Sequence, residues 1–318
     1  MYYAGIDLGG TNIAAGIVDE KGKMIKSMSI PTNAGRDFRE IVRDMAKLVK
    51  NLCEKQKIST KEIKAVGIGC PGSIDSEKGV CEYSNNLNMC HADIASEFRK
   101  MLDIPVFLEN DANAAALGEY EINAKGSKSF VFVTLGTGVG GGVIINGEIF
   151  RGFNGVGAEL GHTVINVDGE QCTCGRKGCW EAYASVTALI RQTKAAMEKH
   201  ADSSMHKFAQ KEGKISGLTS FLAAKEGDKY AGQVVQKYFE YIAEGITNLI
   251  NIFQPEKLVI GGSISKEGDY LLNPVKAIVE RDDYNKYMPK AKIEIAKLFG
   301  DAGIIGAAIA AKNALNRK

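Results

Sequence analysis

Proline is scarce, at 6 in 318 residues. Together with the composition around it, that excludes a collagen and a Pro/Gly-rich disordered chain. No stretch approaches the ~18 consecutive apolar residues of a membrane-spanning helix. The opening MYYAGIDLGG lacks a charged segment followed by a long apolar run. A secretory signal is therefore not expected, and the cytoplasm is the expected compartment. Neither sign of charge dominates: Lys+Arg is 40 and Asp+Glu is 38, a net of +2. No basic block or arm forms a nucleic-acid footprint. Cysteine is odd in number, at 7. Without a secretion signal, disulfides are not expected, and clustered cysteines point to metal.

What is present is an ordinary globular balance, 45% hydrophobic and 25% charged. The length suggests about two domains. Glycine is the exception. There are 36, about 11% against a typical ~7%. Thirteen lie between Gly136 and Gly178, which marks a local need for unusual backbone.

The chain opens as strand (2–7), Gly9-Gly10-Thr11 turn, strand (13–18), hairpin loop and a half-exposed strand (24–30). Apolar residues from Phe38 to Leu52 recur at helical spacing. Strands follow at 66–70 and 105–108, then an alanine-rich helix at 112–121. A similar unit begins at Phe130: strand, Gly136-Thr137-Gly138 turn, strand, Asn146-Gly147 hairpin, strand. This internal echo suggests two related halves, with a domain break near 111–126. The remainder predicts helices at 180–199, 228–253 and 302–315, and strands at 258–260 and 293–298. Mixed strands and helices argue for α/β.

Asp7-Leu8-Gly9-Gly10-Thr11-Asn12 ends one strand and opens another. Phosphate reaches backbone N–H groups only where no Cβ intervenes, which is what glycine allows. Thr11 can donate its hydroxyl to phosphate, and Asp7 can hold Mg²⁺. A plain hairpin turn fits the same letters. Leu135 to Gly142 repeats the pattern, and two such turns at equivalent points suit a triphosphate held between two lobes. Gly261-Gly262-Ser263 is a third turn of this kind, suited to adenine or ribose. Asp111, after Glu109-Asn110, suits a general base for a hydroxyl or a helix cap. His162, Cys172, Cys174 and Cys179 match a four-coordinate structural Zn²⁺ site. Cys53, Cys70, Cys81 and Cys90 read as small apolar residues.

These stretches resemble the ROK family of bacterial sugar kinases. The resemblance rests on DLGGTN, ENDANAAALGE, LGTGVGGGVIINGEIFRGFNGVGAELGH, CTCGRKGCWE and GGS, which together span nearly the whole chain. It implies an α/β fold of the actin-like ATPase (ribonuclease H-like, actin–hexokinase) type, with a cleft between two lobes. The lobes expected are 1–115, with helix 301–318 packing back on it, and 116–300 with the zinc loop. Asp111 is implied as the catalytic base. Asn110, Glu159, His162 and Glu181 are implied as sugar ligands, with Asn85 adding a contact. Gly72, in the Pro71-Gly72-Ser73 turn, joins the 85–89 loop in setting specificity. Gly9, Gly10, Thr11, Asn12, Thr137 and Gly138 are implied at the phosphates, and Asp7, Gly261 and Gly262 complete the nucleotide set. His162 would offer one ring nitrogen to zinc and the other to sugar.

The implied reaction is phosphoryl transfer from ATP·Mg²⁺ to the 6-hydroxyl of a hexose. The stretches are most like the glucose-phosphorylating members. Another hexose or an N-acetylated amino sugar is the alternative acceptor. The expected partners are sugar, ATP and a second copy of the chain as a homodimer, with neither nucleic acid nor membrane. Two other classes share this fold. Sugar-responsive repressors carry an N-terminal helix-turn-helix, for which the phosphate turn at Asp7 leaves no room. Chaperone-type ATPase switches have no use for Glu159, His162 and Glu181.

Overall fold

The structure is a computed structural model describing residues 1–317. Lys318, the last residue of the segment 301–318, lies outside the described residues. Along the chain run β1 (Tyr2–Leu8), β2 (Asn12–Asp19), β3 (Met24–Pro31), α1 (Phe38–Gln56), β4 (Ile63–Cys70), β5 (Ser73–Asp75), β6 (Val80–Ser84), β7 (Met89–Ala92), α2 (Ile94–Arg99), β8 (Val106–Asn110) and α3 (Asp111–Asn123). Then come β9 (Ser129–Leu135), β10 (Val139–Ile145), β11 (Glu148–Ile149), α4 (Glu181–Ala184), α5 (Val186–Lys199), α6 (Met205–Glu212), α7 (Thr219–Lys225), α8 (Lys229–Phe253), β12 (Lys257–Gly261), α9 (Asp269–Asp282), β13 (Lys292–Ile295) and α10 (Ala302–Asn316).

Two five-stranded sheets have the orders β3-β2-β1-β4-β8 and β11-β10-β9-β12-β13. These are the same order. A three-strand meander occupies one side and two later strands follow, so the echo in the sequence is an echo in topology. In the first sheet β1, β4 and β8 are parallel, which aligns Asp7, Gly69 and Glu109 in one row at the strands' C-terminal ends. Ligands of open α/β sheets gather outside that edge. β3, the edge strand of this sheet, has no buried residue.

Two compact units divide the chain. The first comprises Met1–Phe132, Gly142–Ala158 and the segment beginning at Lys297; the second comprises Val133–Gly141 and Glu159–Ala296. The first unit thus runs beyond residue 115 and contains all of α3. Small residues explain this: a Cβ on Gly118 of α3 would stand 2.4 Å from the Ala302 carbonyl oxygen, and one on Gly306 would stand 1.6 Å from that of Ala114. α10 is as close to the sheet, where a Cβ on Gly5 or Gly67 would lie 1.8 Å from the carbonyl oxygen of Ile304 or Ala307. Buried Glu119 fixes the entry to α10 by accepting the N–H groups of Lys297 (3.1 Å) and Leu298 (2.7 Å).

Local signals set the helix ends. α1 buries Ile41, Val42, Met45, Leu48, Val49 and Leu52, starts at an Asp37 cap and stops at left-handed Lys57. α8 starts at Asp228, whose carboxylate accepts from Tyr230 and Ala231, and stops at left-handed Gln254 before Pro255. The single helix expected over 180–199 is two helices. Ser185 is extended (φ −71°, ψ 159°) and its hydroxyl caps α5 by accepting from Ala188 N–H. A serine inside a helical pattern served as a start signal. The strand expected over 293–298 ends at Ile295, because the chain turns there toward Glu119.

Candidate functional site

The first unit gathers one set of candidate residues. The turn after β1 closes by a Gly9 N–H to Asn12 carbonyl bond of 2.9 Å. Thr32, fully buried, holds the turn from behind: its hydroxyl donates to the Gly9 carbonyl (2.6 Å) and its N–H to the Thr11 carbonyl (2.8 Å). With those carbonyls occupied, the exposed Gly10, Thr11 and Asn12 keep their free faces outward. The 85–89 loop comes within 3.6 Å of where a Gly10 Cβ would be, through Asn86. Asn85 itself is exposed beside the Tyr83 hydroxyl, at 3.5 Å.

At the end of β8, Asn110 rather than Asp111 caps α3. Its side-chain oxygen accepts from Ala112 (2.9 Å) and Asn113 (3.1 Å), and its amide donates to the Gly72 carbonyl (3.2 Å). Asp111 is thereby released from capping and stands half-buried in the first helical turn. Desolvation pushes its carboxyl above the ordinary range, against the pull of the Ala112 N–H. Asp7 is pushed up to about 6, first by burial and then by the charge of Asp111. Its carboxylate lies over the start of α10, where a Cβ on Gly303 would be 2.7 Å from Oδ2. A buried carboxyl raised further by the charge of a second one, at the C-terminal edge of the same sheet, is a feature of functional sites.

Sequence reasoning missed the support behind Asp111. Glu109 is buried and accepts from Nε (2.9 Å) and Nη2 of Arg151, while its other oxygen accepts from Asn113. No signal in the letters marks Arg151 as the partner, because 42 residues separate the pair.

The second unit gathers the rest. The Gly136–Val139 turn hangs on the segment 181–187. The Gly136 carbonyl accepts from Val186 N–H (2.8 Å), the Thr137 carbonyl from the Thr187 hydroxyl (2.7 Å), and Val139 N–H donates to Glu181 Oε2 (3.0 Å). The Gly261–Ser263 turn lies against this one: a Cβ on Gly262 (φ +86°) would be 2.2 Å from the Leu135 carbonyl oxygen. Glu159 is exposed and shares a short 3₁₀ turn with His162. Ala158, just before it, sits at φ +65°, a region costly for a residue with a Cβ.

His162, Cys172, Cys174 and Cys179 come together, their ligand atoms all within 4.8 Å of one another. Cys174 Sγ and Cys179 Sγ are 3.6 Å apart, and Cys172 Sγ lies 3.7 Å from His162 Nδ1. A tetrahedron with Zn–S near 2.3 Å has S···S edges of about 3.8 Å, so the donor set fits Zn²⁺ in size and softness. Burial and crowding by the neighbouring thiols push Cys179 up to about 12, a repulsion that a bound cation relieves. Nδ1 faces the sulfurs, which leaves Nε2 pointing elsewhere. The loop is held by the Tyr183 hydroxyl, which accepts from Glu170 N–H at 2.7 Å.

The ROK family model matches residues 3–314. The chain belongs to the ROK family. A glucokinase of Thermotoga maritima is 37% identical over 306 residues, covering 96% of this chain and 95% of that protein. The crystal structure of a ROK family glucokinase from Streptomyces griseus, in complex with glucose and AMPPNP, superposes with a TM-score of 0.85 at 33% identity, covering 98% of this chain and 100% of that one. A xylose repressor of Caldicellulosiruptor bescii is 30% identical, covering 95% of this chain and 76% of the repressor. The expected α/β actin-like ATPase fold is thus the fold of this ROK protein. No helix among its described residues is long and apolar enough to cross a membrane.

Proposed function

We propose that this ROK protein is an ATP-dependent hexokinase that transfers the γ-phosphoryl group to the 6-hydroxyl of glucose. The observation that carries the reading is the division of labour at the start of α3. Asn110 takes the capping bonds, and Asp111 keeps a carboxylate with a raised pKa beside them. A base works best when its pKa lies near the working pH. Asp111 orients the sugar hydroxyl and takes its proton at a carboxylate oxygen as the oxygen attacks phosphorus. Because phosphoryl transfer is loose, this positioning counts for more than basicity.

Gly10, Thr11, Asn12, Thr137 and Gly138 are assigned to the phosphate oxygens through N–H and hydroxyl donors, while Gly9, its own N–H committed to the Asn12 carbonyl, shapes the turn that presents them. Gly261 and Gly262 are assigned to the nucleoside end, and Asp7 to Mg²⁺, which supplies charge neutralisation on the nucleotide when bound. Asn85, Asn110, Glu159, His162 and Glu181, with the Gly72 turn, are assigned to the sugar. Structural Zn²⁺ on His162, Cys172, Cys174 and Cys179 would fix the ring plane and tautomer of His162. A homodimer and a cytoplasmic setting complete the reading; light scattering tests the first against the chain mass of 34.2 kDa.

The likeness to glucokinases supports glucose as the acceptor of this chain. An ADP-release assay across hexoses and N-acetylated amino sugars tests this, with Asp111→Asn alongside. Glucose turnover by the wild type and a loss of about 10³-fold or more in the folded variant are expected. Turnover of N-acetylmannosamine without glucose, or undiminished turnover by Asp111→Asn, overturns the assignment.

A further inference from the structure

Glu181 does more here than await a sugar hydroxyl. Oε2 accepts the N–H of Val139, 42 residues away, at 3.0 Å. The same oxygen fills the place of a side chain at Gly138, where a Cβ would lie 2.3 Å from it. Oε1 accepts from the Thr173 hydroxyl at 3.3 Å and lies 3.8 Å from Cys172 Sγ. One carboxylate therefore touches the glycine turn with one oxygen and the cysteine loop with the other. Its own backbone is anchored independently. Trp180, fully buried, donates its indole N–H to the Tyr241 carbonyl at 2.7 Å. What the cysteine loop adds is a second fixed point, at Thr173, that stops the carboxylate from swinging.

We propose that Glu181 is a positioning residue that couples metal binding in the cysteine loop to the conformation of the Gly136–Val139 turn, and through it to nucleotide affinity. The coupling to nucleotide rests on the proposed phosphate role of that turn; the coupling to the turn itself does not. A bound metal orders the loop from Cys172 to Cys179, which fixes the Thr173 hydroxyl. That hydroxyl then holds Oε1, and Oε2 holds the turn. Such coupling is reciprocal, so nucleotide should also tighten metal binding.

The test reads the turn directly. Backbone amide hydrogen exchange over 135–142 is compared in metal-loaded protein, protein stripped with a zinc-selective chelator, and metal-loaded Glu181→Ala and Thr173→Val. Faster exchange is expected in all three altered forms. The Kd for AMPPNP is then measured by calorimetry without sugar and at constant Mg²⁺. Stripping should weaken it about tenfold in the wild type. Glu181→Ala should bind as weakly when loaded as when stripped, and Thr173→Val, which preserves size and removes only the hydroxyl, should lose most of the metal response. If Glu181 serves the sugar alone, exchange and Kd stay unchanged and only the KM for sugar rises, which overturns the proposal. If no form binds AMPPNP, the functional reading fails, while the exchange data still decide the coupling.

Discussion

One helix carries two glycines that should respond oppositely to the same substitution. Gly245 of α8 lies on the face of Trp180, where an added Cβ would stand 2.0, 2.2 and 2.5 Å from indole Cε2, Cδ2 and Cζ2. Ordinary contact begins at 3.4 Å, so the ring or helix must retreat by about 1.4 Å. Trp180 has little room to do so, being fully buried with its N–H committed to Tyr241. Overpacking of this kind costs ~1–3 kcal/mol, and a rigid indole belongs at the upper end. Alanine repays about 1 kcal/mol in helix propensity. Gly245→Ala should therefore lose about 2 kcal/mol. Gly232, one turn into the same helix, has nothing within 4 Å of its Cβ position, so Gly232→Ala should gain up to about 1 kcal/mol. Urea unfolding followed by circular dichroism measures both. Equal shifts of the two variants, or a Gly245→Ala protein as stable as the wild type, would refute the packing argument. Because Trp180 lies between Cys179 and Glu181, Gly245→Ala should also loosen metal retention, read as zinc content after dialysis.

Two further expectations concern charge. Asp7 is raised from 3.8 to about 6 on folding, so the folded state binds the proton more tightly, and this group's contribution to stability is fully present below about pH 4 and lost as pH rises through about 6. Asp7→Asn should stabilise the protein at pH 8 by up to about 3 kcal/mol and flatten that part of the profile; an unchanged pH dependence would count against the assignment. Asp228 behaves inversely. Desolvation pulls it upward but is outweighed by bonds from Ala231 N–H, the Ser203 hydroxyl and Ser204, which bring it down to about 2. Its stabilisation is present above about pH 4 and lost as pH falls toward 2. Asp228→Ala should cost about 1–2 kcal/mol at pH 7, with the difference from wild type shrinking in acid; a constant difference from pH 7 to pH 2 would show that the charge is irrelevant.

Much of this was legible in the letters because the signals were local. The two Gly/Thr turns, the N-cap before α3 and the Cys-x-Cys loop each carry their chemistry within a few residues. The apolar stripe of α1 announced itself by period alone. The missed parts depend on partners distant in sequence. The meander of β5, β6 and β7 consists of strands too short to establish a period. α6 and α7, at eight and seven residues, likewise fall below what periodicity resolves. Thr32, Arg151 and Glu119 are unremarkable where they stand in the chain. Their meaning lies in Gly9, Glu109 and Leu298, which only the folded backbone brings near.

The seat of α10 against Gly5 and Gly67 has a consequence for synthesis. Strands made among residues 2–70 meet their covering helix only when residues 302–316 emerge from the ribosome. Until then the face that carries Gly5 and Gly67, with buried Tyr3 and Ala65 on the same side of their strands, has no lid. The second unit waits for nothing beyond Ala296. The chain should therefore finish its later half first, with its earliest strands the last to be sealed and the segment most in need of protection from aggregation during translation.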